Sequence, residues 1–219
     1  MSSDPDKVRL YEAIGRVAAA LGSAGRLQIL EFVAQGARSV DTLATMTGLS
    51  VANTSKHLQA LRQAGLVNAR KEGLRVFYSL AGDDVSLLLS ALRGVAEHRA
   101  ADVERLLRAW LTHRDELEPI PARELLQRAR KGLVTVLDVR PTEEYAAGHL
   151  PGAINVPVEK LESYLSKLPK RKEVVAYCRG PYCLMSFSAV EKLRNRGFRA
   201  RRLENGFPEW RAAGLPVER

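Results

Sequence analysis

Apolar residues recur every three or four positions through the start of the chain. Two such runs, 7–21 and 25–35, are separated by the pair Gly22-Ser23. The spacing predicts two amphipathic helices with a break between them. The positions that carry the pattern are Val8, Tyr11, Ile14, Val17, Ala18 and Leu21, then Leu27, Ile29, Leu30 and Val33.

Two shorter helices are predicted next, on either side of a turn. Ser39 precedes the first and Gly48 follows it, which suits a helix cap and a helix end. Ser50 precedes the second, over 51–64, and Gly65 ends it. Two short helices that meet across a glycine-containing turn are typical of a helix-turn-helix.

The helix over 51–64 combines core positions with a polar face. We expect Val51, Leu58 and Leu61 to be buried. The polar residues are expected to remain largely free, so that they reach base edges or phosphates in a major groove. They are Asn53, Thr54, Ser55, Lys56, His57 and Gln59.

After Gly65 the apolar spacing changes to every second residue, from Leu66 to Leu80, with Gly73 near the middle. This pattern predicts a β-hairpin, which makes the preceding helix-turn-helix winged. Between residues 50 and 80, five basic residues stand against the single acidic Glu72. These five would anchor the protein on DNA phosphates: Lys56, Arg62, Arg70, Lys71 and Arg75.

Segment 39–80 resembles the winged helix-turn-helix of the ArsR/SmtB repressors, above all in TSKHLQALRQAGLV and in the wing that ends VFYSL. The resemblance extends over about 7–112. It implies a homodimer that binds near-palindromic, double-stranded operator DNA and releases it when an inducer binds.

The metal sites of that family are not expected in this chain. Many members carry Cys-x-Cys at the start of the first helix of the motif, whereas residues 38–44 contain no cysteine. A second family site uses Asp, His and Glu on a C-terminal helix. The residues available here are spaced differently, so surface charges are the preferred interpretation of Asp102, Glu104, His113 and Glu116. We predict no metal and no cofactor.

One long amphipathic helix is predicted over 84–112. Its apolar stripe is too extensive for a helix exposed on its own, so we expect it to form a dimer interface. The stripe consists of Val85, Leu88, Leu89, Leu92, Val95, Val103, Leu106, Leu107, Trp110 and Leu111.

A domain boundary is predicted where polar residues give way to Pro119 and Pro121, which divides the chain into 1–117 and 118–219. Beyond it, helical and strand patterns alternate, which predicts a parallel sheet with helices on both faces. Helices are expected at 122–131, 141–147, 158–168, 186–196 and 206–213, and strands at 134–138, 153–156, 173–177 and 199–203.

Cys178 directly follows the apolar strand over 173–177 and precedes a helix. Ligands of such sheets bind beyond the carboxyl ends of the strands. Backbone N–H groups of the loop and the N-terminus of the helix near Ser186 would stabilise an anion there. Arg179 adds positive charge, so we expect a thiolate with a lowered pKa. The alternative is a buried structural cysteine.

Three segments resemble a single rhodanese domain over about 119–219: LDVRPTEEYAAGHLPGAINVP, VVAYCRGPYCLMSFSAVEKLRNRGF and ENGFPEW. The resemblance implies that Cys178 takes a sulfane sulfur from a donor such as thiosulfate and passes it to a thiol or cyanide. It implies that Asp138 and Arg140 support the catalytic side of the sheet. His149 would belong to a structural turn.

The cysteine loop departs from the common Cys-Arg-x-Gly-x-Arg-Ser form, because it is two residues longer and lacks the second arginine. Related phosphatases and arsenate reductases close a wider loop with an arginine, but Leu184 and Met185 stand in that part here, which disfavours their chemistry. The expected substrate loop comprises Gly180, Pro181, Tyr182, Leu184, Met185 and Ser186.

Cys183 lies in the same loop, and two interpretations of it are open. It either resolves a persulfide or sulfenate on Cys178 by forming a disulfide, or packs as a small apolar residue. With two cysteines in the whole chain, a disulfide framework of the kind found in secreted domains is excluded.

The charge composition of the chain does not by itself indicate DNA binding. The net charge is +9, but residues 1–118 hold 15 Lys/Arg against 14 Asp/Glu, whereas 119–219 hold 19 against 11. The polar N-terminus resembles no secretory signal, and no apolar run is long enough to span a membrane, so a cytoplasmic protein is expected.

These patterns and the two resemblances together imply a DNA-binding regulator whose rhodanese-type domain senses sulfane sulfur or a redox signal through Cys178. The alternatives are a sulfurtransferase for which DNA binding is accessory, and a redox- or arsenate-linked regulator. The predicted partners are operator DNA, a second copy of the chain, and a sulfur donor or thiol acceptor.

Overall fold

The computed structural model describes residues 4–111 and 119–219, without the side chains of Trp110 and Leu111. It separates into two compact units, Met1–Val85 and Ser86–Arg219. The boundary predicted between 117 and 118 lies outside the described residues, as do His113 and Glu116.

Four helices and a three-stranded antiparallel sheet form the first unit, and their apolar faces meet in one core. In this sheet the third strand along the chain lies between the first and the second. Ile29, Leu30, Leu43, Leu58 and Leu61 are fully buried. The elements are α1 (Pro5–Leu21), α2 (Ala24–Val33), β1 (Arg38–Ser39), α3 (Val40–Thr47), α4 (Val51–Gln63), β2 (Val67–Glu72) and β3 (Arg75–Leu80).

The ends of α3 and α4 have the capping chemistry that the sequence predicts. The Ser39 hydroxyl accepts the Thr42 N–H at 3.2 Å, and the Ser50 hydroxyl accepts the Asn53 N–H at 3.2 Å. Gly48 follows α3 in the left-handed region, at a φ of 69°, where a side chain would be strained. These contacts fix the turn between the two helices.

The hairpin of β2 and β3 forms the wing. Its register pairs Ala69 with Tyr78 and Glu72 with Arg75. Tyr78 is buried, whereas Leu74 at the tip is wholly exposed. The inner end of the hairpin is therefore held by the core and its tip projects into solvent.

The single helix predicted over 84–112 is wrong, because two helices occupy that stretch. They are α5 (Asp83–Arg99) and α6 (Ala101–Leu111). His98 and Arg99 end α5, and Asp102 and Glu104 lie in the first turn of α6. This order of charges stabilises a helix end followed by a helix start.

The rest of the second unit is a four-stranded parallel sheet with helices on both faces, which confirms the predicted fold class. Its strands lie side by side in the order second, first, third and fourth along the chain. The helices are α7 (Ala122–Arg130), α8 (Thr142–Ala147), α9 (Leu161–Tyr164), α10 (Leu184–Asn195) and α11 (Phe207–Ala212). The strands are β4 (Val134–Asp138), β5 (Ile154–Asn155), β6 (Glu173–Tyr177) and β7 (Ala200–Arg202).

Successive side chains of β6 point to opposite faces of this sheet. Val174, Ala176 and Cys178 belong to an apolar cluster with Phe187 and Val190 of α10. Val175 and Tyr177 belong to a second cluster, on the other face, with Phe207 and Trp210 of α11. Alternation of period two therefore builds two cores from one strand.

Candidate functional site

Cys178 lies immediately beyond the carboxyl end of β6, where the sequence predicts it. Cys178 is only 1% exposed and packs in the same apolar cluster as Phe187. Its carbonyl oxygen accepts the Phe207 N–H at 3.1 Å. The start of the loop is therefore tied both to the core and to the beginning of α11.

Cys178 and Cys183 are joined by a disulfide, with their Cα atoms 6.2 Å apart. Within the ring that it closes, the Cys183 N–H donates to the Gly180 carbonyl at 3.1 Å. Cys183 is partly exposed, packs against the apolar cluster that contains Cys178, and immediately precedes α10. The second cysteine thus bonds to the first and also contacts the core.

Arg179 forms a two-pronged ion pair with Glu144 of α8. The Arg179 Nε lies 3.0 Å from both Glu144 carboxylate oxygens, and a terminal guanidinium nitrogen lies 2.7 Å from one of them. Glu144 is buried. The positive charge expected beside the thiol is therefore offset by a carboxylate, and the pair holds the loop against α8. Sequence reasoning did not identify Glu144, although it stands in the TEEY segment of the resemblance.

Asp138 and Arg140 form a fully buried ion pair at the end of β4. Arg140 donates to the Asp138 carboxylate from Nε at 3.0 Å and from a terminal nitrogen at 2.5 Å, and to the Gly148 carbonyl at 2.8 Å. The Tyr177 hydroxyl donates to Asp138 at 2.5 Å and accepts the Leu150 N–H at 3.1 Å. This cluster connects β4, β6 and the segment after α8.

Burial and charge shift the acidities within this cluster. Burial alone would lower the pKa of Arg140, but the hydrogen bonds and negative charge of Asp138 outweigh it, so the pKa is raised. Burial, together with the charge of Asp138, raises the pKa of Tyr177 above its ordinary value. Both shifts favour a cationic Arg140 and a neutral Tyr177, which is the arrangement that supports the loops around them.

Gly206, in the ENGF segment, allows the chain to pass very close to the cysteine loop. A Cβ atom on Gly206 would lie 2.3 Å from the carbonyl carbon of Arg179 and 2.4 Å from the Gly180 nitrogen. Since both neighbours are backbone, a side chain has no room there. Gly206 is a site residue that the sequence reasoning did not single out.

The remaining loop residues face in different directions. The Ser186 hydroxyl is buried and donates to the Cys183 carbonyl at 3.0 Å, and Met185 packs against the core. Leu184 is exposed. Tyr182, next to Pro181, donates a hydrogen bond from its hydroxyl to Glu97 of α5. The predicted substrate loop therefore comprises core contacts on one side and a contact with α5 on the other.

Most of the expected DNA-contacting residues of α4 are accessible, and one is not. Asn53, Lys56, Gln59 and Arg62 are exposed, and Ser55 and His57 are partly exposed. Thr54 is fully buried, so its expected place on the free face is wrong. Thr54, Leu58 and Leu61 share one side of the helix because they follow at intervals of four and three residues.

Val51 was expected in the core, and this is also wrong, because it is about half exposed. It is the first residue of α4 and so lies at the edge of the packed helices. On the wing, Arg70, Lys71 and Arg75 are exposed, and Arg70 pairs with Glu72.

Among residues 4–111 and 119–219, no group of three or more His, Cys, Asp or Glu residues is placed to hold a metal ion. In the same part of the chain, no helix has the length and apolar character needed to cross a bilayer.

A winged helix-turn-helix, followed by a parallel sheet with a cysteine loop at a strand end, is the architecture of a DNA-binding regulator with a rhodanese-like domain. Two family models agree with this class: a bacterial regulatory protein of the arsR family over residues 23–69, and a rhodanese-like domain over residues 121–213. Over 212 residues the chain is 45% identical to the HTH-type transcriptional regulator Rv0324 of Mycobacterium tuberculosis. The aligned residues make up 97% of this chain and 93% of that protein. The chain belongs to this family of transcriptional regulators.

Other similar proteins match one half of the chain. A sulfurtransferase of Allochromatium vinosum is 33% identical over 85 residues, 38% of this chain and 78% of that protein. The homodimeric winged helix-turn-helix domain of Mb0332 from Mycobacterium bovis is 40% identical and covers 47% of this chain and 94% of that domain, with a TM-score of 0.42.

Proposed function

We propose that this regulator senses sulfane sulfur through Cys178 and changes its affinity for operator DNA in response. One observation carries the proposal: the loop that holds Cys178 and Cys183 at the end of β6 also contacts α5 through Tyr182. A chemical change at the cysteines alters the loop that positions Tyr182. Such a change therefore shifts the conformational equilibrium of α5, which lies outside the sheet, as a sensor requires.

The proposed sulfur chemistry begins at a reduced Cys178. Its thiolate attacks the outer sulfur of thiosulfate, a new S–S bond forms, and sulfite leaves with the electron pair of the broken bond. Cys178 then carries a persulfide. The N-terminus of α10, which starts at Leu184, and the amides of the loop favour the anionic forms of both species.

The proposed DNA surface consists of the exposed polar residues of α4 and the basic wing. In this arrangement Asn53 and Gln59 reach base edges, and Lys56, Arg62 and the wing residues contact phosphates. Such a protein works where its operator lies, so we place it in the cytoplasm.

We further propose that the regulator binds as a homodimer, because two of its helices expose large apolar side chains. On α1 these are Leu10, Tyr11 and Ile14, and on α5 they are Leu87, Leu92 and Val95. Apolar residues in such number on one helix mark an interaction surface. A second copy of the chain is the occupant that a two-fold operator requires.

A band-shift experiment tests the proposal, with a duplex that the protein itself selects from a randomised pool. Reduced wild type and Cys178→Ser are each titrated onto this duplex, with and without thiosulfate pretreatment. A coupling of about 1–3 kcal/mol corresponds to a change in affinity of about 5- to 150-fold, which we expect for wild type alone. Equal responses of the two proteins would remove Cys178 as the sensor.

A sulfurtransferase is the second candidate, favoured by the likeness of residues in the second half to the Allochromatium vinosum protein. A thiosulfate:cyanide assay separates the two functions: many turnovers per chain indicate an enzyme, and a single reaction of Cys178 with thiosulfate per chain indicates a sensor. Redox- or arsenate-linked regulation is less favoured, since Leu184 and Met185 open α10 where a closing arginine would be needed.

A further inference from the structure

We infer that Cys183 is a resolving thiol, which expels the sulfur carried by Cys178 as hydrosulfide and leaves the Cys178–Cys183 disulfide as the stored signal. The inference rests on the proposed function in one respect, because Cys178 must first accept a sulfane sulfur. It adds an activity, the release of sulfide, and a second reacting residue.

The geometry brings the two sulfur atoms together within one short loop. The disulfide joins residues five positions apart, and the Cys183 N–H···O=C Gly180 hydrogen bond closes the turn between them. Ser186 donates to the Cys183 carbonyl from the first turn of α10. Cys183 is therefore held at the beginning of a helix and beside the sulfur that it attacks.

Proximity favours Cys183 over a dissolved thiol as the partner of a Cys178 persulfide. Cys178 is 1% exposed and is surrounded by the apolar cluster of Phe187 and Val190, whereas Cys183 packs on the same cluster. A group held beside its target reacts at an effective concentration far above that of the same group in solution. Intramolecular attack should therefore precede transfer to an external acceptor.

The step balances without an added oxidant. The Cys183 thiolate attacks Cys178 Sγ, and the bond between Cys178 Sγ and the outer sulfur breaks. The outer sulfur leaves with that electron pair and one proton as hydrosulfide. It is reduced by two electrons, which the two cysteine thiols supply as they are oxidised to a disulfide.

Return to the reduced state follows from the unequal exposure of the two residues. A dissolved thiolate attacks Sγ of the partly exposed Cys183, and the buried Cys178 leaves as a thiolate. A second thiol then releases Cys183 from the mixed disulfide. Each cycle therefore consumes one sulfane sulfur and two thiols, and produces one sulfide.

The experiment uses the full chain, reduced, freed of reductant without air, and exposed to thiosulfate with no added thiol. Released sulfide and intact-protein mass are followed together. We expect one sulfide per chain from wild type, with a mass that shows loss of two hydrogens and no retained sulfur. Cys183→Ser and Cys183→Ala should each keep one added sulfur on Cys178 and release sulfide only after a thiol is supplied. Cys178→Ser should do neither.

Two results would overturn the inference: a wild-type chain that keeps its added sulfur without releasing sulfide, or Cys183 variants that release sulfide as fast as wild type. In the first case a DNA affinity that still responds to thiosulfate leaves the proposed function standing. If Cys178 accepts no sulfur at all, both the inference and the proposed function fail. Circular dichroism of the variants checks that the fold is retained.

Discussion

At the scale of single residues, Thr54 is polar but does not belong to the exposed face of α4. Its hydroxyl is buried and has no hydrogen-bond partner among the described residues. Leaving a hydroxyl buried and unpaired costs roughly 1–3 kcal/mol. We therefore expect Thr54→Val, which keeps the shape, to be neutral or to raise the free energy of unfolding by about 1 kcal/mol.

The same variant tests the proposed DNA surface. Thr54→Val should bind the selected duplex as tightly as wild type, whereas Asn53→Ala, at an exposed position, should lose about 1–3 kcal/mol of binding free energy if Asn53 reads a base. Chemical denaturation and band-shift titration measure the two effects. Weaker DNA binding by Thr54→Val at unchanged stability would contradict the burial of this residue.

Gly206 is the residue whose replacement should disturb the cysteine loop most directly. In Gly206→Ala the new methyl group meets the backbone of Arg179 and Gly180, so no change of rotamer relieves the contact. We expect a loss of about 1–3 kcal/mol of stability, the usual cost of overpacking, and a slower reaction of Cys178 with thiosulfate.

Gly180→Ala is the matched control for the stability measurement, because a Cβ at Gly180 has nothing within 4 Å. Thermal unfolding of both variants gives the comparison. Equal destabilisation by the two substitutions would show that the close approach at Gly206 is not the cause.

The sequence predicted the place of Cys178 in the fold well, and the contacts of its neighbours poorly. Cys178 could be located because a strand of alternating burial ends one residue before it. Glu144 and Gly206 act through contacts with Arg179 that are set by the packing of α8 and α11, and such contacts leave no local pattern. Thr54 was misplaced for a related reason: polarity suggested exposure, but the helical phase shared with Leu58 and Leu61 buries it.

At the scale of elements, the ends of β4 and β6 are joined by the hydrogen bond from Tyr177 to Asp138. Because the folded-state pKa of Tyr177 is raised, its contribution to stability is complete below about pH 10, the ordinary tyrosine value. This contribution is lost as the pH rises above that value, because ionisation of the tyrosine then stabilises the unfolded chain.

Spectrophotometric titration of tyrosinate should show this directly. In wild type, Tyr177 should ionise only together with alkaline unfolding, and Tyr177→Phe should lack that part of the signal. Tyr145, whose pKa is also raised by burial and by the charges of Asp138 and Glu218, remains in both proteins and cancels in the difference. A tyrosine signal that appears near pH 10 in the folded wild type and vanishes in Tyr177→Phe would contradict the prediction.

The types of the elements were predictable wherever periodicity and caps agreed, as in α3, α4 and the wing. Prediction failed where the same helical spacing of apolar residues continues from one helix into the next. The stripe from Val85 to Leu107 continues across Ala100, and periodicity alone gave no sign that α5 ends at Arg99. The change from basic to acidic residues around Ala100 was the available signal.

At the scale of the whole molecule, the proposed dimer interface on the exposed apolar residues of α1 and α5 can be tested by measuring the oligomeric state. Placing a charge at Ile14 or Leu92 forfeits about 1.5–3 kcal/mol of burial in a dimer interface. Ile14→Glu and Leu92→Glu should therefore weaken dimerisation by about 10- to 100-fold and weaken binding to a two-fold operator.

Sedimentation at a series of concentrations measures the dimerisation. Leu133→Glu is the control, because Leu133 is as exposed as Ile14 but lies on neither helix. An equal effect of the control, or sedimentation of both test variants as wild type, would contradict a dimer built on these helices.

The alternation along β6 has a consequence for how such a protein changes over evolutionary time. Tyr177 and Cys178 are adjacent in the chain, but Tyr177 anchors the Asp138–Arg140 pair in one layer and Cys178 presents its sulfur in the other. Substitutions around the Cys178 side chain therefore fall in a layer separate from those around Tyr177. Selection can alter the residues packed around the disulfide without first having to rebuild the layer that joins β4 to β6.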